Sequence, residues 1–315
     1  MEDIIRTAHA EVASDNSGGI AGYIPALAQV DPDQWDVAFC DVSGGITKAG
    51  ASAGAIFALE GCQKALAYCV ARTMRGDTVH QHVGFEATSG FNEIKLNDRN
   101  QPHNPFVNAG SIMVASLIEP EKDGAERFEA VMGFFRAAAA PGTLGFDQVL
   151  CDEEAATATR NKILAYCMQE RGSYEGRPTE AQVHAHLELY FKLCSVTADA
   201  SAVATIAATL ANGGTNPVTG KKVFSEEIVR DCLVLMLSCG MYGSSGQWAC
   251  EIGLPAMSGV SGCLMAVVPG VGGLGCFSPR LDGIGISVRG MAFCKKFAAL
   301  TEHRHHTIRL VTTRK

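Results

Sequence analysis

The sequence predicts an α+β domain built on one mixed sheet with a helical insertion beside it. Three observations carry this prediction. Short β-rich runs bounded by Gly or Pro lie near both ends of the chain, at 35–50 and 263–290. Between them, residues of about 125–215 read as several helical pieces, each closed by a stop signal. The 315 residues are 47% hydrophobic and 19% charged, the balance of a globular chain with one sizeable core rather than of a disordered one.

Residues 2–12 predict a helix that DNSGG (15–19) breaks. WDVAFCDVSGG (35–45) alternates through Val37 and Phe39 and ends at Gly44-Gly45, and ITKAG (46–50) supplies a second strand, making a hairpin. A long helix is then expected over roughly 56–72, where Leu59, Cys62, Leu66, Cys69 and Val70 form a wide apolar stripe. ERFEAVMGFFRAAAA (126–140) stops at Pro141-Gly142, 155–172 stops at Gly172, and 195–214 stops at Asn212-Gly213-Gly214. Strands return at 263–270, 273–281 and 283–290, and a last helix is expected over 290–303.

Composition excludes several classes of function. A net charge of -7 and a pI near 5.7 argue against nucleic acid as a partner. No apolar run reaches membrane-spanning length, and MEDIIRTAHAEVASDN lacks the regions of a signal peptide. The expectation is an intracellular protein, cytoplasmic or organellar, mitochondria included. The twelve cysteines occur singly, without a C-x-x-C pair, and read as small buried thiols in a reducing compartment. HQH (80–82), HAH (184–186) and HRHH (303–306) have no second ligand cluster of matching spacing, and read as surface histidines with no metal bound.

The stretch FALEGCQKAL (57–66) raises the chemical question. In hydrolases of the S-x-x-K type the residue three before the lysine is the nucleophile, and here Gly61 stands three before Lys64. Elsewhere, NPFVNAGSI (104–112) places Asn108 at a helix start, where it could face a ligand or simply cap the helix. Glu154 and Asn161 are two helical turns apart. Tyr190 and Tyr242 sit beside small or polar residues. GLPAMSGVSGC (253–263) enters a strand through Gly and Ser, which can bring backbone N–H groups near a carbonyl oxygen.

Taken together, YIPALAQVDP (23–32), FALEGCQK (57–64), QPHNPFVNAGSI (101–112), YFKLCS (190–195), SCGMYGSSGQW (238–248) and GLPAMSGVSG…VVPGV (253–271) resemble, in order, the serine-dependent glutaminases. The resemblance covers about residues 20–300. It implies a β-lactamase/penicillin-binding-protein-like fold with a mixed, mainly antiparallel sheet, flanking helices and a helical subdomain over about 113–215. It implies hydrolysis of L-glutamine to L-glutamate and ammonia through an acyl-enzyme, without metal or organic cofactor, in a homodimer or homotetramer. Carried over by position, the glutamine-binding residues are Tyr23, Gly61, Asn108, Glu154, Asn161, Tyr190, Tyr242 and Val260. Glu154 would pair with the substrate ammonium, and Asn108 and Asn161 would hold its carboxylate end. Tyr190 and Tyr242 would orient or shuttle a proton. The Val260 and Gly61 N–H groups would stabilise the oxyanion, and a neutral Lys64 would act as base.

The resemblance fails at two positions. The family's nucleophilic serine falls on Gly61, and its K-S-G triplet is M-S-G here, with Met257 for the lysine. Cys62 is the neighbouring thiol, but two residues from Lys64 it points to the other side of a helix. Ser111, Ser258 and Ser261 have no lysine matched to them by spacing. The expectations are therefore a glutaminase of weakened or absent activity, or a pseudoenzyme that binds glutamine or glutamate as a sensor or assembly subunit. A penicillin-recognising hydrolase on the same fold is disfavoured by the glutaminase-specific segments.

Overall fold

The computed structural model describes residues 1–50 and 54–301. Helix α1 (Glu2–Val12) leads to the hairpin of β1 (Asp36–Asp41) and β2 (Ile46–Gly50), in which Phe39 faces Thr47. The Asp41 carboxylate closes that turn by accepting from the backbone N–H groups of Ser43 and Gly45. A short β3 (Phe57–Ala58) and a 3-10 turn over Glu60–Cys62 precede α2 (Gln63–Arg75). There follow α3 (Asn108–Ser116), α4 (Gly124–Ala139), β4 (Gly145–Phe146), α5 (Gln148–Thr157), α6 (Thr159–Glu170) and α7 (Glu180–Cys194). Next come β5 (Val196–Ala198), α8 (Ala200–Ala211), α9 (Glu226–Cys239) and α10 (Ser245–Glu251). The described chain closes with β6 (Ala256–Ser258), β7 (Cys263–Val268), β8 (Gly272–Phe277) and α11 (Val288–Thr301).

The main sheet runs β2-β1-β8-β7-β6 with antiparallel pairs, and a small second sheet runs β3-β5-β4, also antiparallel. The N-terminal hairpin thus joins the sheet through β1, which pairs with β8 more than two hundred residues further on. Helix α8 lies on one face of the main sheet. Two glycines of β8 make this approach possible. A Cβ at Gly273 would lie 2.2 Å from the Ala208 nitrogen, and one at Gly275 2.3 Å from the Ala200 oxygen. A glycine strand against an alanine-rich helix lets two backbones come closer than ordinary side chains permit. On the other face, α1 and α11 cover a separate apolar cluster containing Ile5, Trp35, Phe39, Leu264, Phe293 and Phe297. The alternation of β1 sorts Ala38 and Cys40 to the α8 side and Val37 and Phe39 to the α11 side.

Several expectations are corrected. The helix expected over 56–72 begins at Gln63. Phe57 and Ala58 instead pair with Ala198 and Thr197, and Glu60 holds φ +47, outside the helical region. The helix of 155–172 is split into α5 and α6 at Ala158, with ψ 34. The first residues of 195–214 form β5 before α8 starts at the Asp199 cap. The run 283–290 is not a strand: the Asp282 carboxylate gathers the N–H groups of Ile284 and Ile286 into a turn, and α11 starts at Val288. That helix was expected to reach residue 303, and positions 302 and 303 lie outside the described residues, as does HRHH. The other histidines are not uniformly on the surface. His186 is buried against Tyr174, and His80 accepts or donates at 2.9 Å to the Tyr68 hydroxyl and stacks on Phe85. Every cysteine is a free thiol, buried except for half-buried Cys167 and exposed Cys250. No helix of the described residues is long and apolar enough to cross a membrane.

Candidate ligand-binding site

A cavity of about 370 Å³ opens where the 3-10 turn, the start of α2 and α3, the α5–α6 break, α7 and the β6–β7 turn converge. Its size suits a small metabolite. Tyr23, Gly61, Lys64 and Asn108 line it, with Glu154, Asn161, Tyr190, Tyr242 and Val260. These nine residues therefore line one space, although they come from segments spread over more than two hundred residues. Tyr23 is 61% exposed and stands at the mouth. The segment after it is tied down where the Glu153 carboxylate accepts from the Ala26 N–H at 2.6 Å.

Lys64 is the centre of the polar network. Its Nζ donates to Asn108 Oδ1 at 2.8 Å and to the Phe106 carbonyl at 3.0 Å, and it lies 5.4 Å from the centre of the Tyr242 ring. Burial pulls the Lys64 ammonium down to about 8, despite the opposing carboxylates. Asn108 in turn donates to Asn161 Oδ1 at 3.1 Å and to Asn92 Oδ1 at 3.3 Å. Asn108 is thus no helix cap. Helix α3 has no side-chain cap; Asn104 shapes the turn leading into it by accepting from the N–H groups of Phe106 and Val107. Glu154 and Asn161 come from two successive helices rather than one face of a single helix. The break at Ala158, itself on the cavity wall, lets both point inward.

At Gly61 the space beyond Cα is closed. A Cβ built there would lie 2.2 Å from the Ser258 carbonyl oxygen and 2.5 Å from the Tyr242 hydroxyl. Those two atoms are bonded to each other, Tyr242 Oη donating to the Ser258 oxygen at 3.0 Å. Burial raises the Tyr242 phenol well above its ordinary value, so the hydroxyl remains a donor. Tyr242 itself carries φ +51 and Glu60 φ +47, a backbone region that costs a non-glycine residue on the order of 1–3 kcal/mol.

With this geometry in hand, the relatives are informative. The chain matches the family described as Glutaminase over residues 18–306. The chain belongs to the glutaminase family. It is 42% identical over 303 residues to the mitochondrial liver isoform of glutaminase from Rattus norvegicus, covering 95% of this chain and 50% of that protein. It is 37% identical over 298 residues to a glutaminase of Nostoc sp., covering 94% of this chain and 87% of the relative. Among solved structures, a probable glutaminase ybaS superposes with a TM-score of 0.90 at 30% identity, covering 98% of both chains. A structure described as Mglu in its glutamate form superposes with a TM-score of 0.90 at 30% identity, covering 98% of this chain and 70% of that one. The chain spans about half the length of the rat relative.

Against the glutaminase pattern, the two departures have different surroundings. Met257 is fully buried in the main core beside Gly240 and is not among the residues lining the cavity. Cys62 is also turned away from the cavity. Its thiol donates to the Met257 carbonyl at 3.3 Å and the Cys263 carbonyl at 3.6 Å. Ser111, Ser258 and Ser261 are buried and absent from the cavity wall, Ser261 donating to the Ala58 carbonyl at 2.7 Å. None of these four offers a replacement nucleophile facing Lys64.

The sequence reading missed Glu60, Cys194, Asn92 and Arg160, which also line the cavity. A signal for Glu60 was available: it is a lone carboxylate in an otherwise apolar run, directly before Gly61. Glu60, Glu154 and Cys194 bring ligand-type atoms within 4.8 Å of one another, the one group among the described residues with the makeup to hold a metal ion. Lys64 shares the same cavity, and its ammonium opposes a cation there.

Proposed function

We propose that this glutaminase homologue binds L-glutamine or L-glutamate in the cavity around Lys64 and hydrolyses the amide weakly or not at all. The observation that carries this reading is the closed space at Gly61. Gly61 itself carries no attacking atom, and the place of one is taken by the Tyr242 hydroxyl and the Ser258 carbonyl. Lys64, the base of the S-x-x-K arrangement, has no partner to deprotonate. The binding positions, by contrast, keep their residue types and share one wall. Glu154 is suited to the ligand's ammonium, and Asn108 and Asn161 to its carboxylate end. Tyr190 and Tyr242 are suited to orienting the side-chain amide. The Gly61 and Val260 N–H groups remain as the oxyanion donors of a reaction that has lost its first step.

The solved relative described in a glutamate form supports an amino acid of this size as the ligand. In serine hydrolases whose nucleophile is removed, binding and the oxyanion hole still leave a residual rate over water, several orders of magnitude below the intact enzyme. The role left to the chain is that of a glutamine or glutamate sensor or an assembly subunit, as a homodimer or homotetramer. The test separates binding from turnover. Ammonia release from L-glutamine by the purified chain is expected to match a heat-killed control, while calorimetry registers saturable L-glutamine binding. Turnover well above the control overturns the loss of chemistry, and an absence of binding overturns the ligand.

A further inference from the structure

Glu60 is the least comfortable residue in the cavity. It is 3% exposed, holds φ +47, and its Oε1 has no hydrogen-bond partner among the described residues. Its place is fixed from both sides. The Leu59 N–H donates to the Val196 carbonyl of β5, and the Cys62 N–H donates back to Leu59. Across from it, Glu154 Oε2 is likewise buried without a donor. Both carboxyls line the cavity, within 4.8 Å of each other and of the Cys194 sulfur. Two carboxylates this close in a dry site do not both ionise, so one proton stays between them. Burial and the opposing carboxylate push Glu60 well up, and burial lifts Glu154 to about 7.

The surroundings decide what the pair is for. From α2 it faces Lys64; from α7, Cys194 and Tyr190, both held neutral by burial; and from the mouth, Tyr23, while the Cys62 thiol of the 3-10 turn lies behind it, turned into the core. Tyr242 and Arg160 complete the titratable groups of the cavity wall. Lys64 already spends two of its donors on Asn108 and Phe106. The two orphaned oxygens thus lack a donor from the protein, and an ammonium group carries three N–H bonds with which to reach both.

We infer that Glu60 and Glu154 form a proton-sharing pair that receives the ammonium group of an α-amino acid, and that uptake of the ligand expels the shared proton to solvent. The exchange is balanced. The singly protonated pair and the ligand ammonium become a fully ionised pair bound to the ammonium plus one free proton, and no covalent bond of the ligand changes. A metal ion is disfavoured at the same cluster, because it would have to strip the proton from Cys194 beside the Lys64 ammonium. The inference rests on the amino-acid reading of the cavity and adds Glu60 as a specificity-determining residue. It makes affinity pH-dependent: while the pair keeps its proton, binding tightens by about tenfold per pH unit, and it levels off once the proton is gone.

The test is isothermal titration of the full chain with L-glutamine at pH 6, in two buffers of different ionisation heat, so that protons released per ligand are counted directly. The wild-type chain is expected to release about one. Glu60→Gln, which keeps the shape and removes the second carboxyl, is expected to release almost none and to bind with little pH dependence between pH 5.5 and 7.5. The wild-type count needs no variant, so it stands even if Glu60→Gln folds poorly. Binding without proton release in the wild type overturns the inference alone, as does undiminished release by Glu60→Gln. Absence of any L-glutamine binding overturns the amino-acid reading and this inference together. Zinc binding by the chain alone that is lost in both Glu60→Gln and Cys194→Ala, and that L-glutamine displaces, would assign the cluster to a metal and overturn the ammonium pair.

Discussion

Gly61→Ala adds one methyl group at the point where the glutaminase pattern breaks. Its Cβ would sit 2.2 Å from the Ser258 oxygen and 2.5 Å from the Tyr242 hydroxyl, whereas carbon and oxygen in contact prefer about 3.3 Å or more. The hydroxyl is the end of a side chain and can swing away. The Ser258 carbonyl cannot move alone. Ser258 ends β6, paired with Leu264, and the following Gly259 N–H donates to the Cys263 carbonyl. Withdrawing that oxygen by the roughly 1 Å needed drags the β6–β7 turn with it. Overpacking of this kind costs about 1–3 kcal/mol, and losing the Tyr242–Ser258 hydrogen bond adds about 1 kcal/mol. For a chain of this length, about 2–4 kcal/mol lowers Tm by roughly 3–6 °C.

Urea titration and calorimetry of Gly61→Ala, Tyr242→Phe and the double variant measure this directly. The two substitutions share a clash, so their effects should not add. The double variant recovers the part due to the hydroxyl and keeps the larger part due to the backbone oxygen. Gly61→Ala as stable as wild type, within about 0.3 kcal/mol in both backgrounds, would refute the closed space. The same geometry predicts that Gly61→Ser alone restores no ammonia release, because its hydroxyl enters a site whose backbone must first retreat.

Lys64→Met should flatten the rise in stability between about pH 8 and 10.5. In that window the unfolded lysine keeps a proton that the folded one, at about 8, has released, so stability climbs with pH only while Lys64 is present. Melting temperatures of the two proteins across the window decide it. Glu154→Gln acts in the opposite direction. The folded carboxyl, raised to about 7, keeps a proton that the unfolded chain loses near 4.5, so stability falls as pH rises through that interval. The variant should reduce that fall, leaving the part that buried Glu60 contributes, and should abolish L-glutamine binding, read by melting at pH 5, 6 and 7.5 and by calorimetry. Cys62→Ala should leave ammonia release unchanged and cost about 1 kcal/mol, because its thiol fills core space facing Met257 and Cys263 rather than the cavity. A fall in turnover would make Cys62 a nucleophile.

The sheet hairpin and the strands at 263–277 were legible because alternation and Gly/Pro boundaries are local signals, and Val37 and Phe39 sort to one face as that pattern requires. The start of α2 was not legible. Its apolar stripe runs unbroken through Phe57 and Leu59, and only long-range pairing with β5 and the positive φ of Glu60 turn those residues into strand and 3-10 turn. The same holds for the break at Ala158, where helix-forming residues stand on both sides. The cavity residues were legible by resemblance, not by spacing: Tyr23, Asn108, Glu154 and Tyr242 each have an unremarkable local reading. Glu60 escaped because inside a helix it would be one more acidic residue. Only its burial, its backbone and its distance to Glu154 give it a part to play.

The energetics of the cavity bear on whether it is a relic. Glu60 and Tyr242 hold strained backbone, Lys64 is dried out below its ordinary range, and two carboxylate oxygens lack donors. Each of these features costs stability, and each could be relieved by one substitution, such as glycine at Glu60 or glutamine at Glu154. A site that had lost its ligand together with its nucleophile would have no compensation for them. What a bound amino acid returns is specific to these groups: an ammonium for the two carboxylates and a carboxylate for the asparagines that Lys64 holds in place. The catalytic position is the exception, since Gly61 is packed shut by Ser258 and Tyr242 rather than left as a gap. A cost kept at groups that an amino acid would compensate supports the proposed binding of glutamine or glutamate in this cavity.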